Sequence, residues 1–193
     1  MTWAKGVIYN ASEMLSFDFR ADKFASAVAF LVERRPGLTK KQICKLMYYA
    51  DKTHLLRYGR PITGDTYYAL EQGPIPTRGL NAMNEAGRVP ADDEALRAYG
   101  KLEGWEFRIY RGADLKAFSR TDIAVLEEID RKFGGCPAWR LERMTHREPA
   151  WKKAPQNGPM KFEDFFESEP SADLVKSILI EDQDTGTAEP VEA

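Results

Sequence analysis

Apolar residues recur along this chain at two periods, and the switches between them mark its elements. Phe24, Val28, Leu31 and Val32 share one helical face, so a helix opens at Asp22 and ends at Arg35-Pro36-Gly37. Ile43, Leu46, Met47, Ala50 and His54, with Tyr58 closing the face, predict a second helix. Thr39 is its N-cap, and Gly59 followed by Arg60-Pro61 stops it. The period then shortens: Thr66 to Leu70 has the β-branched and aromatic bias of a half-buried strand. Gly73-Pro74-Ile75-Pro76 follows as a rigid, extended corner, because each proline fixes its own φ and restrains the residue before it.

The second half repeats this alternation more faintly. Residues 79–87 hold one or two helical turns, and Pro90 opens a short helix with Asp92, Asp93 and Glu94 near its positive end. Trp105, Phe107 and Ile109 alternate with polar residues, which predicts a strand over 105–110 pairing with 66–70. Ser119 with Asp122 forms a variant capping box for a helix that turns Ile123, Leu126, Ile129 and Phe133 inward and ends at Gly134-Gly135. Pro137 starts a helix through Met144, and Leu174 to Ile180 is the last. The fold class is therefore α+β and mainly α-helical: a compact helical domain with a small antiparallel β-hairpin or sheet. A polar leading segment, 1–21, precedes one domain over 22–180, and an acidic, disordered tail covers 181–193.

Composition narrows the functional classes. The 193 residues are 43% hydrophobic and 30% charged, which suits one soluble domain with core enough to fold alone. No uninterrupted apolar run reaches membrane-spanning length and no leader pattern opens the chain, so a cytoplasmic protein without a membrane partner is expected. The tail carries five carboxylates and no Lys or Arg, leaving 28 basic against 25 acidic side chains before it. That mild surplus makes nucleic acid an unexpected partner. Cys44 and Cys136 are too few for a disulfide framework or metal cluster and are expected as free thiols.

Catalytic candidates are sparse. Of the two histidines, His54 lies on an apolar helix face and suits a hydrogen-bonded structural role, while Cys44, ten residues earlier on the same helix, is nearly three turns away. Asp51, Asp65 and Glu71 lack metal-ligand spacing and suit capping and surface pairing. Gly59, Gly64 and Gly73 punctuate elements and form no phosphate loop. No catalytic residue, cofactor or metal site is assigned. What remains is a binding surface: Tyr67, Tyr68, Glu71, Gln72, Ile75 and Arg78 cluster about the rigid corner, and His146 and Trp151 form a second candidate pair. One of the two tyrosines must face the core, since strand residues alternate.

The stretch KLMYYADKTHLLRYGRPITGDTYYALEQGPIP, residues 45 to 76, carries a resemblance. It is similar to the Panacea domain family, the SocA-like antitoxin or phage-associated GepA-type domain. That family's core reads as a K-L-x-Y-x-A-D helix, then Y-G-x-P-I-x-G-D, then a G-P-x-P corner. These elements stand here at Lys45 to Asp51, Tyr58 to Asp65 and Gly73 to Pro76, and Thr145-His146 with Pro149-Ala150-Trp151 matches the family's later helix. The resemblance covers roughly residues 22 to 155. Its one departure, Met47 before Tyr48-Tyr49, shifts the bulk of the helix surface slightly without breaking a motif.

The resemblance implies the antitoxin of a toxin-antitoxin system, whose partner is a cognate toxin protein. Its SocA-like branch further implies a proteolytic adaptor that delivers the toxin to ClpXP, with ClpX as a second partner. An adaptor needs a rigid surface for its cargo and a tether that raises the local concentration at the protease, and the acidic tail suits the tether. The alternative is a DNA-binding regulator of its own operon, because the first two helices flank a short Arg-Pro-Gly break. Lys40, Lys41 and Lys45 do not make a groove-reading set, however.

Overall fold

A computed structural model describes residues 15–167, and the expected helix over 174–180 and the acidic tail lie outside them. Helix α1 (Ala21–Arg34) buries every residue from Phe24 to Val32, so FASAVAFLV is enclosed on all sides. Helix α2 (Lys40–Tyr58) starts at the expected Thr39, with a reciprocal capping box between Thr39 and Gln42, and stops at left-handed Gly59. Strands β1 (Tyr67–Leu70) and β2 (Gly73–Pro76) follow, then α3 (Thr77–Met83) and α4 (Pro90–Arg97). A second hairpin, β3 (Gly100–Glu103) and β4 (Glu106–Ile109), leads to α5 (Arg120–Ile129), α6 (Ala138–Thr145) and α7 (Pro149–Lys153). The described residues are thus mainly helical with two small antiparallel strand pairs, as expected.

Helix α2 is the axis of the domain. The periodicity predicts one buried face, yet Ile43 to Asp51 are buried without a break, because α3, α5, α6 and β2 pack around them. Tyr58, expected on that face, instead stands 47% exposed where the helix leaves the core. The polar residues enclosed with α2 are each satisfied. His54 Nδ1 donates to the Arg60 carbonyl at 2.7 Å, and Nε2 lies 3.0 Å from both Thr121 Oγ1 and Asp122 Oδ1. The structural role expected of His54 is the one observed.

Asp51 and Asp65 correct the expectation of surface pairing, since both are fully buried. Asp51 accepts from the Ile62 and Thr63 amides, the Thr63 hydroxyl and the Tyr67 hydroxyl, which ties α2 to the loop behind it and to β1. Burial raises its pKa, against the lowering by these donors. Asp65 accepts from the Arg78 and Gly79 amides, so it caps α3, and burial pushes its carboxyl up to about 7.

The Gly-Pro-Ile-Pro corner forms a strand in its own right. Tyr68 pairs with Ile75 and Leu70 with Gly73, and the chain reverses over Glu71-Gln72. The other edge of β1 is taken by 157–160, where the Ala69 amide donates to the Gly158 carbonyl and the Met160 amide to the Tyr67 carbonyl. β2 is therefore the outer strand, the place where prolines without an amide hydrogen cost no ladder bond. Its Pro74 carbonyl accepts instead from Lys45 Nζ at 2.9 Å. Gly73 has φ +89°, and a Cβ there would sit 2.6 Å from Thr145 Oγ1 and 3.1 Å from Lys45 Nζ. Only glycine fits this corner.

The expected pairing of 105–110 with 66–70 is not formed. Glu106–Ile109 pairs with its neighbour Gly100–Glu103 across a turn at Gly104-Trp105. A two-residue connection closes at far smaller entropic cost than a loop of more than thirty residues, and both edges of β1 are already occupied. Trp105 consequently sits in the turn, and its carbonyl accepts from the Lys40 amide at 2.9 Å.

Two outcomes follow. Asp51→Ala leaves buried donors unsatisfied and should lower unfolding free energy by at least about 3 kcal/mol in urea denaturation. Burial also holds the Lys45 ammonium down at about 8, against 10.5 in an open chain, and pushes the neighbouring Cys44 thiol from 9.0 up to about 11. Above pH 8 the unfolded chain keeps a Lys45 proton that the folded one has lost, so this group makes stability rise with pH up to about 10.5. Cys44 acts oppositely between about pH 9 and 11, because there the folded thiol keeps the proton. Denaturation curves between pH 8 and 9 should therefore show a rising contribution in the wild-type chain that Lys45→Met lacks.

Candidate functional site

The fold gathers a cleft of about 430 Å³ where the first turns of α2, the β1–β2 hairpin, α3, the β3–β4 turn and the start of α6 meet. Its apolar lining is Ile75, Leu80, Cys44, Ala138 and the Trp105 ring, which stands 78% exposed. Lys40, Lys41 and the buried Lys45 supply its charge, and no carboxylate lines it. Lys40 Nζ is steadied by Asn84 Oδ1 at 2.6 Å and Lys41 Nζ by Glu142 at 3.2 Å. An apolar floor under a cationic rim suits an amphipathic segment that carries acidic residues, with Trp105 as a rigid anchor beside it.

Two of the residues expected at a partner surface, Gln72 and Ile75, belong to this cleft. Glu71 is exposed on the other side of the hairpin tip, in a smaller cleft of about 320 Å³ with Leu70, Trp151 and Lys152. Tyr68 is half-buried between the two, paired across the ladder with Ile75. Tyr67 is the inward tyrosine: it is buried, and its hydroxyl serves Asp51, so it is removed from the surface set. Arg78 is half-buried, its guanidinium held bidentately by Asp92 at 2.7 and 2.8 Å and laid over the Phe19 ring. That arginine fixes α3 against α4 with its charge already compensated.

His146 and Trp151 do come together. Their rings stack at 4.2 Å, and Trp151 Nε1 donates to the Leu70 carbonyl at 3.1 Å, which clamps the end of α6 and α7 onto the hairpin. His146 Nε2 is buried and has no partner among the described residues. Glu148, two residues on, is held by Lys52 of α2. The cluster spans three elements that sequence alone does not place together.

Sequence reasoning passed over Trp105, Leu80 and the lysines as site residues. Gly104-Trp105, a turn glycine beside a tryptophan, was the available signal for the first. Nothing in the local sequence of Leu80 or Ala138 distinguishes a cleft wall from a core position. Cys44 and His54 do not approach one another as a dyad: His54 is bound to the loop after α2 and to α5, whereas the Cys44 thiol is buried at the cleft with its pKa pushed up to about 11. Among the described residues no group of three or more His, Cys, Asp or Glu is arranged to hold a metal ion, and no helix is long and apolar enough to cross a membrane.

No curated protein and no solved structure matches the chain. The family model for the antitoxin SocA-like, Panacea domain matches residues 43–152, from the first buried turn of α2 to the middle of α7. This span takes in both hairpins, the Asp51 hub, the proline-edged strand and all but the first residues of the cleft. The chain thus belongs to the SocA-like antitoxin, Panacea-domain family.

Proposed function

We propose that this protein neutralises a cognate toxin by binding it as a protein partner, with the cleft beside the first hairpin as the principal contact. Membership of the family supports an antitoxin role in general. The observation that carries the finer reading is the cleft itself: Ile75 and Leu80 form an apolar floor, Lys40 and Lys41 edge it, and Trp105 projects beside it. Gln72, at the hairpin tip, adds adaptable polar contact. Exposed tryptophan next to a pocket of this size is costly to leave in water, and an acidic amphipathic segment would cover it while pairing with the lysines. Its action is stoichiometric binding, so no catalytic group is needed.

The regulator reading has less support. α1 is enclosed over Phe24 to Val32 and α2 over Ile43 to Asp51, so neither of the two early helices offers a face for a DNA groove. Delivery to ClpXP is the natural extension of the binding reading, with the acidic residues 181–193 as the tether, in a cytoplasmic setting.

Co-expression with the product of the adjacent small open reading frame, as the candidate toxin, tests both layers. Wild-type chain should restore growth, and Trp105→Ala or Ile75→Asp should abolish restoration while leaving the circular-dichroism spectrum unchanged. Loss of an anchor of this kind weakens an interface by about 2–4 kcal/mol. Growth restored equally by both variants would move the contact off the cleft. For the adaptor layer, the toxin's half-life should shorten only when ClpXP is active, and deleting 181–193 should lengthen it again. A stable toxin complex in cells with active ClpXP would make the protein a blocking antitoxin.

A further inference from the structure

A second surface lies on α6, on the far side of that helix from its contact with α2. Arg140 and Arg143, three apart on α6, share a face, Arg147 follows in the turn just beyond the helix and lines the same cleft, and all three are exposed. Trp139, 60% exposed, stands next to them with the Arg143 guanidinium 6.0 Å from its ring centroid. Together with Pro137 and Met144 these side chains line a shallow cleft of about 370 Å³.

Among the described residues the charge of these arginines is uncompensated, for a structural reason. The carboxylates nearest to them in sequence, Glu142 and Glu148, both turn back toward α2, where Lys41 and Lys52 hold them. The arginines are left facing solvent, and none of the three pairs with a carboxylate among the described residues. Elsewhere on the domain Arg34, Arg35, Arg57, Arg60 and Arg78 are all bound to acids. Planar guanidinium groups beside a tryptophan and a thioether floor match carboxylates interleaved with apolar side chains.

We infer that the face formed by Trp139, Arg140 and Arg143 of α6 with Arg147 in the turn after it is a docking surface for an acidic, apolar-containing protein segment, separate from the cleft at the hairpin. A protein segment fits better than a nucleic acid. Pro137 and Met144 offer apolar contact that a phosphate backbone does not use, and three clustered cations fall short of the extended basic face that duplex binding needs. The surface also lies on the opposite side of α6 from Ala138, which belongs to the hairpin cleft, so two segments can be held at once.

The test uses the full chain and a fluorescein-labelled peptide of repeating Glu-Glu-Leu, with a mixed-sequence DNA duplex as the comparison, by fluorescence polarisation at low and at physiological salt. The expected result is saturable peptide binding that weakens at least about ten-fold in R140E/R143E/R147E and several-fold in Trp139→Ala, with Arg88→Ala, an exposed arginine outside both clefts, unchanged. All four residues are exposed, so the urea midpoint of each variant should stay at the wild-type value, and Arg143→Gln alone supplies a milder variant. Peptide binding that is absent, or undiminished in the triple variant, overturns the inference. Tighter binding of the duplex, lost in the same variant, also overturns it and makes the face a nucleic-acid contact. None of these readouts depends on toxin neutralisation, so failure here and failure of the antitoxin reading are distinguishable.

Discussion

The buried carboxylate of Asp51 holds the domain's moving parts in one frame. From the middle of α2 it receives two successive backbone amides of the loop that follows the helix, a threonine hydroxyl in that loop and the Tyr67 hydroxyl of the next strand. A carboxylate is enclosed at high cost unless its lone pairs are met, and here four donors meet them. The loop from Pro61 to Asp65 is therefore fixed relative to the helix, and Asp65 at its end caps α3. Two buried acids thus set the positions of β1, β2 and α3, and those three elements form one wall of the cleft.

The second constraint is the proline-edged strand. β2 lacks amide hydrogens at Pro74 and Pro76, and it is accommodated only as the outer strand, because 157–160 occupies the other edge of β1. A sheet edge with missing donors cannot recruit a further strand. Lys45 then anchors β2 to α2 through the Pro74 carbonyl. The Lys45 ammonium group beside the cleft is in the first place a structural bond.

Charge on this domain is distributed by which side of each helix is enclosed. α6 directs Glu142 toward α2 and Thr145 into the core beside Gly73, so its arginines can only point away. α2 in turn contributes Lys41 and Lys52 to these pairs, which leaves Lys40 at the rim of one cleft and the arginines over another. A near-neutral composition conceals two locally cationic faces, each with an exposed tryptophan beside it.

Much of this architecture is legible in the sequence, for local reasons. Thr39 and Ser119 cap their helices with their own side chains, Gly59 supplies the left-handed stop, and Pro90 fits the first helical turn, so these boundaries are set by residues within a few positions of them. The Gly-Pro-Ile-Pro corner and the Lys45 to Asp51 helix were also enough to indicate the family. Of the residues expected at a partner surface, Gln72 and Ile75 line the hairpin cleft, His146 and Trp151 stack on one another, and Tyr67 is buried. Tertiary structure alone decided that Asp51 and Asp65 are enclosed, that β4 pairs with β3 rather than β1, and that Trp105 and Leu80 face the same space as Lys40. Each of these depends on which other segment packs at a given edge or face. Capping and periodicity are short-range and written residue by residue, whereas burial and charge compensation are settled only by the partners that packing brings together.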